Sequence, residues 1–341
     1  MKDLVEYHRQ LHPLMDAQDV VKLVFQAMLG CGHLLGDEAL VARRIEQEIA
    51  SLTPNTEEPL TEPLGPDYVR LNLRRALAEG LDAPWIARLM KLSPASTYTR
   101  QDVVDVLSGF GEDIAQAAKR LLTEPDWLPS HTPAYHAAYA PAYRVISTRC
   151  AAILPVLCAI AKLKHKERLL ICIDGPCGSG KTTVGNLLQQ VLDAALIPMD
   201  DFFLPHPLKT PERLSQPGGN ADWERVVSEV LVPWASQQPI SYRPYDCHAS
   251  DFAAPVNVPP RRITLIEGSY SLMPAIRQYA DISVFLSISP ELQHARILHR
   301  NGEAGLDMFI RRWIPLEKAY HTAFSLPDEQ CIVLEQPQQS T

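Results

Sequence analysis

Up to about residue 122, apolar residues recur at intervals of three and four, and the strict alternation of a half-buried strand is nearly absent. The spacing predicts helices over 3–15, 19–29, 38–52, 67–79, 84–92 and 101–122, punctuated by Gly30, Pro54, Gly80 and Ser93-Pro94. Residues 53–66, with four prolines and several acids, read as an exposed connector. Residues 123–141, rich in proline, histidine and tyrosine, read as a linker between domains. A helix over 142–163, bent at Pro155, leads onward.

Beyond it the period changes. Short apolar, β-branched runs at 169–173, 196–199, 263–266, 282–288 and 332–334 alternate with amphipathic stretches at 181–192, 222–235, 290–300 and 306–324. Strands alternating with helices predict a mainly parallel sheet covered by helices on both faces. The expected organisation is an all-helical domain over 1–122, a linker over 123–141 and an α/β domain over 142–341.

Composition narrows the class. Hydrophobic residues at 46% and charged residues at 21% are ordinary globular usage, so a disordered tail or a fibre does not fit. The formal net charge of −8 has the wrong sign for general binding to nucleic acid or an anionic membrane. The longest apolar run, 150–161, contains Pro155 and is too short to span a bilayer. Seven cysteines with no Cys-x-x-Cys pair suit neither a disulfide framework nor a four-thiolate zinc site. With no apolar signal core at the N-terminus, they predict a reducing, cytoplasmic compartment.

The chemistry is carried by Gly175-Pro176-Cys177-Gly178-Ser179-Gly180-Lys181-Thr182, a complete G-x-x-x-x-G-K-T between a strand and a helix. Its glycines let successive N–H groups turn inward as an anion nest, and the helix N-terminus adds partial positive charge. Gly175, Cys177, Gly178, Ser179, Gly180, Lys181, Thr182 and Thr183 are the expected nucleotide-binding residues, with Thr182 offering a hydroxyl to Mg²⁺. Met199-Asp200-Asp201-Phe202-Phe203 ends the next strand, which puts two carboxylates at the sheet edge where open α/β folds bind ligands. One of them can take a hydroxyl proton or touch the metal; a helix cap is the competing role for either alone. Glu267 ends the apolar strand 263–266 and is a candidate for holding Mg²⁺.

On these three elements, in this order and spacing, residues 168–334 resemble the small-molecule P-loop kinases of the uridine kinase, nicotinamide riboside kinase, pantothenate kinase and phosphoribulokinase group. The resemblance implies a P-loop NTPase-type α/β fold and ATP with Mg²⁺ as cofactors. It implies Asp200 as catalytic base, with Glu267 assisting metal or substrate. It sets Tyr245-Asp246 in the substrate loop and Arg296 and Arg300 in the lid. The chain departs from uridine kinases after Tyr245-Asp246, where Cys247-His248-Ala249-Ser250-Asp251 lacks the base-reading arginine, and after Arg300, where no Arg-Gly-Arg follows. Arg311 and Arg312 are candidates for the missing lid charge; a solvated helix face is the alternative. Phe203, Asp201, Arg213 and Asp222 complete the substrate candidates, with capping of the next helix the plainer role for Asp222.

The expected function is ATP- and Mg²⁺-dependent transfer of a phosphoryl group to a hydroxyl of a small metabolite, a nucleoside or similar sugar-bearing compound. Lys181, Asp200, Arg300, Arg311 and Arg312 are its catalytic set, and Thr182, Asp200 and Glu267 its metal set. The alternative is an ATPase switch whose helical domain binds a protein. A homodimer stays open. Gly30-Cys31-Gly32-His33-Leu34-Leu35-Gly36 reads as a helix terminus and turn, with Cys31 and His33 a less favoured metal or catalytic pair.

Overall fold

The computed structural model describes residues 1–32, 37–94, 96–247 and 249–335, so His33, Gly36 and His248 lie outside the described residues. The chain divides into two compact units, Met1–Lys162 and Leu163–Thr341.

The first unit is built round the helix Ala17–Leu29, started by a capping box in which Asp16 accepts from the Asp19 amide and Asp19 returns the bond. Nine of its residues are buried, which suits a helix apolar on nearly every side. The helical expectation holds for most of the unit, but a three-stranded antiparallel sheet is added to it. Its strands are β1 (Thr61–Pro63), β2 (Tyr68–Asn72) and β3 (Tyr143–Ser147), in the order β1-β2-β3. The turn Leu64-Gly65-Pro66-Asp67 folds the expected connector into a hairpin. Asn72, by capping the amides of Arg74 and Arg75, delays the helix expected from 67 until Leu73. Likewise the aromatic and β-branched run Tyr143-Arg144-Val145-Ile146 pairs as a strand, and Ser147 caps the next helix only at Thr148.

Residues 123–141 are not a free linker. Thr132 caps the helix Pro133–Tyr139, Tyr135 is buried, and His131 Nδ1 donates to Asp19 Oδ1 at 2.8 Å. Asp19 Oδ2 also accepts from the Thr132 hydroxyl at 2.9 Å. Burial, helped by Lys22 and Arg70, pushes the His131 pKa down to about 2, so the ring is neutral. These bonds tie 123–141 to the first unit, and the boundary falls after Lys162 instead of at 141/142.

The second unit carries the parallel sheet. Its strands are β4 (Leu169–Asp174), β5 (Ala195–Pro198), then two short hairpin pairs, β6 (Ile240–Tyr242) with β9 (Val256–Val258) and β7 (Tyr245–Asp246) with β8 (Asp251–Phe252). β10 (Ile263–Glu267), β11 (Ile282–Ser287) and β12 (Cys331–Glu335) complete the set. The main sheet runs β12-β11-β4-β10-β5, all parallel. β4 and β10 are buried along their whole length, as strands covered on both faces must be. The register sets Glu267 level with Ile173 and Pro198, so the ends of β4, β5 and β10 open at one edge. The expected helices at 290–300 and 306–324 appear as Pro290–Met308, broken at Gly302 (φ 70°), and a second run through Ile314–Ala323.

Asp174, the last residue of β4, is fully buried and accepts from three segments. Its Oδ1 takes the Gly175 amide at 2.7 Å, and its Oδ2 takes the Leu272 amide at 2.9 Å and the Tyr320 hydroxyl at 2.8 Å. Burial raises its pKa. Asp174→Asn sets its NH2 against a backbone N–H whichever oxygen it replaces, so we expect the variant to lose about 1–3 kcal/mol of unfolding free energy, read by denaturant titration.

Candidate functional site

The loop Gly175–Gly180 leaves β4 and enters the helix Lys181–Leu192 at the sheet edge. Lys181 is buried, and its Nζ donates to the carbonyls of Gly175 and Pro176 at 2.7 and 3.1 Å, which holds the loop's curl from inside. Thr182 follows on the first helical turn, and its Oγ1 donates to Glu267 Oε2 at 3.3 Å. Burial and then the Asp200 charge raise the Glu267 carboxyl, while Lys181 and the Thr182 bond pull it back.

A cavity of about 800 Å³ opens over this edge. Cys177, Gly178, Gly180, Lys181, Thr182, Thr183, Asp200, Phe203, Glu267, Arg296, Arg300 and Arg312 line it, so most of the expected nucleotide, metal and lid residues meet in one place. Arg296 is anchored by the Gly178 carbonyl at 3.1 Å. Arg300 bonds Asn301 Oδ1 at 2.8 Å, and Arg312 lies over the Trp313 ring at 4.8 Å. Ser179 and Gly175 are not among the lining residues, and Ser179 is fully buried. Arg311 also lies off the cavity, exposed, bonded to Asp307 one turn back at 2.7 Å.

The substrate candidates fare differently. Asp201 accepts from the Tyr242 hydroxyl at 2.8 Å, and burial raises its carboxyl. Arg213 is gripped by both oxygens of Glu224 at 2.5 and 2.7 Å and donates to the carbonyls of Gly219 and Ala221, so its guanidinium is spent on the fold of its own loop. Asp222 is buried and accepts from the Arg225 amide, the plain cap. Tyr245 is buried with its hydroxyl accepting from the His206 amide at 3.3 Å, and Asp246 accepts from the Ala249 amide at 3.1 Å. None of these five lines the cavity; Phe203 does. Cys31 is buried, with its thiol pushed up to about 11 by burial and donating to the Met90 carbonyl, which removes its half of the Cys31–His33 pair as a ready thiolate.

Further lining residues escaped the sequence reading: His206, Lys209, Asn220, Ser269, Tyr270, Trp313 and Glu317 among them. Glu317 has the most definite contacts. Its Oε2 accepts the Cys177 amide at 2.8 Å and its Oε1 the Ser269 hydroxyl at 2.7 Å. A signal for it exists in the sequence, since Glu317 falls between Ile314 and Tyr320 on the buried stripe of its helix, where an acid needs a reason. Lys181, Lys209, Arg296, Arg300 and Arg312 face three lining carboxylates, Asp200, Glu267 and Glu317, so the cavity is locally positive in a chain of net charge −8. The oxygen donors of Thr182, Asp200 and Glu267 suit a hard cation such as Mg²⁺, and the loop suits a polyphosphate.

No family model matches the chain. A Schizosaccharomyces pombe protein named "Putative uridine kinase" is 28% identical over 173 aligned residues, 43% of this chain and 72% of that protein. Among solved structures, a "Possible Uridine Kinase" from Bacillus stearothermophilus is 20% identical with a TM-score of 0.42, covering 54% of this chain and 97% of that one. A "putative fructose transport system kinase" from Silicibacter is 23% identical with a TM-score of 0.42, covering 55% and 98%. The chain is a distant homologue of that fission-yeast uridine kinase-like protein over 43% of its length.

The loop's geometry leaves no room at its first glycine. Gly175 has φ +143°, and a Cβ there would sit 2.4 Å from the Leu286 carbonyl oxygen. Gly175→Ala is therefore expected to cost at least about 1–3 kcal/mol of strain and to lower the thermal unfolding midpoint, checked by differential scanning calorimetry against wild type.

Proposed function

We propose that the second unit is an ATP- and Mg²⁺-dependent phosphotransferase acting on a hydroxyl of a small metabolite, a nucleoside or similar sugar-bearing compound. The observation that carries the reading is that Asp200, an exposed carboxylate, lines the same cavity as Lys181, Thr182 and Glu267. A loop for polyphosphate, oxygen ligands for a hard cation and a carboxylate open to an acceptor are the parts that in-line transfer needs. The 28% identity to the fission-yeast protein supports the kinase class.

In this reading the loop amides and Lys181 bind the β- and γ-phosphates, while Thr182 and Glu267, with Asp200 beside them, hold the cation. When bound, Mg²⁺ would neutralise charge on the phosphate oxygens. Asp200 takes the proton of the acceptor hydroxyl as its oxygen bonds to Pγ and the bond from Pγ to the β–γ bridging oxygen breaks, releasing ADP. Arg296, Arg300 and Arg312 meet the charge on the moving phosphoryl. Arg311, exposed and paired with Asp307, has no part in this scheme.

The test is incubation with Mg·ATP and pooled nucleosides, vitamins and sugars, following ADP release and new phosphorylated masses. A phosphometabolite that disappears in Lys181→Ala and falls by about 10²–10⁴ in rate in Asp200→Asn is expected. ADP released with no such product would point instead to a hydrolytic switch.

A pH signature follows from Glu267. Its pKa is raised above the ordinary 4.5, so on acidification it takes its proton earlier than a free glutamate would. Mg²⁺-dependent nucleotide affinity should therefore fall with a midpoint above 4.5. Glu267→Gln should remove that dependence along with much of the affinity, as read by calorimetric titration across pH.

A further inference from the structure

The first unit brings three ligating side chains together far from the phosphate loop in sequence. The helix Lys2–Leu11 carries His8, and His12 follows one turn later, with the two rings 6.2 Å apart and inclined by 14°. β1 supplies Glu62. Each of the three offers one ligand atom, and these atoms lie within 4.8 Å of one another.

The hydrogen bonds orient both rings in the manner of metal ligands. His8 Nε2 lies 3.0 Å from the Pro63 carbonyl, and His12 Nδ1 lies 3.2 Å from the His8 carbonyl. A carbonyl only accepts, so in the neutral form of either ring the proton sits on the nitrogen facing it and the lone pair is left on His8 Nδ1 or His12 Nε2. Ligating histidines characteristically spend their second nitrogen on a carbonyl or carboxylate in this way.

His8 Nδ1 then faces Glu62 Oε1 at 3.3 Å, acceptor against acceptor, an arrangement that calls for a cation between them. Arg70 answers it poorly. Its Nη1 is 3.4 Å from His8 Nδ1 and 3.5 Å from Glu62 Oε2, at the far limit of a hydrogen bond. Arg70 is also held by Gln26 Oε1 at 3.2 Å and lies over the Tyr143 ring at 4.5 Å.

We propose that His8, His12 and Glu62 form a zinc site with three protein ligands and an open fourth position. Two imidazoles and a carboxylate suit zinc better than Mg²⁺ or Ca²⁺, and three protein ligands leave one coordination position for water or another small donor. Glu62 is 23% exposed and His12 is half-buried, so the fourth position has access to solvent.

The experiment strips the full-length protein with a chelator and titrates it with Co²⁺ in excess Mg²⁺, which occupies any all-oxygen site. One Co²⁺ per chain is expected, with the intense visible bands of a four-coordinate nitrogen-ligated ion, displaced by Zn²⁺. His12→Ala and Glu62→Gln should each weaken it by at least about tenfold, with far-UV circular dichroism unchanged. Wild type that binds no stoichiometric Co²⁺, as when Arg70 is the only cation the cluster takes, overturns the proposal. So does binding that both variants leave intact. No nucleotide enters the measurement, so its result is independent of the phosphotransferase reading.

Discussion

The second unit depends on one buried carboxylate. Asp174 stands where the central strand stops and the phosphate loop begins, and its oxygens collect an amide from that loop, an amide from the segment after β10 and a hydroxyl from the C-terminal helix. A charge so enclosed is costly, as its raised pKa records, and His321, Lys181 and the donors arriving from three sides offset part of that cost. The edge of the sheet is consequently a fixed platform. The loop, the segment after β10 and the helix bearing Glu317 share one anchor, so none of them can shift alone without breaking a bond to it.

What could be read in the sequence divides along a physical line. β4, β10 and β11 are continuous apolar runs because both faces of a parallel sheet are covered, and the loop between β4 and its helix is confined to residue types that can make an anion nest. Both are local constraints, visible as composition and spacing. The substrate segment is different. Arg213, Asp222 and Tyr245 are polar residues near a site, but what each does is settled by the partner it finds: Glu224 for Arg213, a helix amide for Asp222, the His206 backbone for Tyr245. Lys209 and Asn220 do reach the cavity from the same polar, turn-rich segment.

The first unit was harder to read for a related reason. A strand of five residues such as β2 offers only two or three alternations, and Tyr68-Val69-Arg70-Leu71 is equally a fragment of a helical stripe until pairing with β1 and β3 decides it. The histidine-tyrosine stretch reads as a connector because its composition is polar, yet His131 and Thr132 turn inward, satisfied by Asp19. Buried polar networks are written in tertiary contacts, which periodicity does not record.

The break at Gly302 divides the arginines of the cavity between two pieces of backbone. Arg296 and Arg300 precede it, and Arg312 follows it. At this glycine φ is +70°, and nothing lies within 4 Å of where a side chain would start, so the bend is set by the backbone and not wedged by a neighbour. Arg296 is moored on the Gly178 carbonyl. Arg312 stands on the run that continues into the helix of Glu317 and Tyr320, which bond the Cys177 amide and Asp174, so both sides of the bend are tied to the loop edge and the two groups of arginines keep a set span.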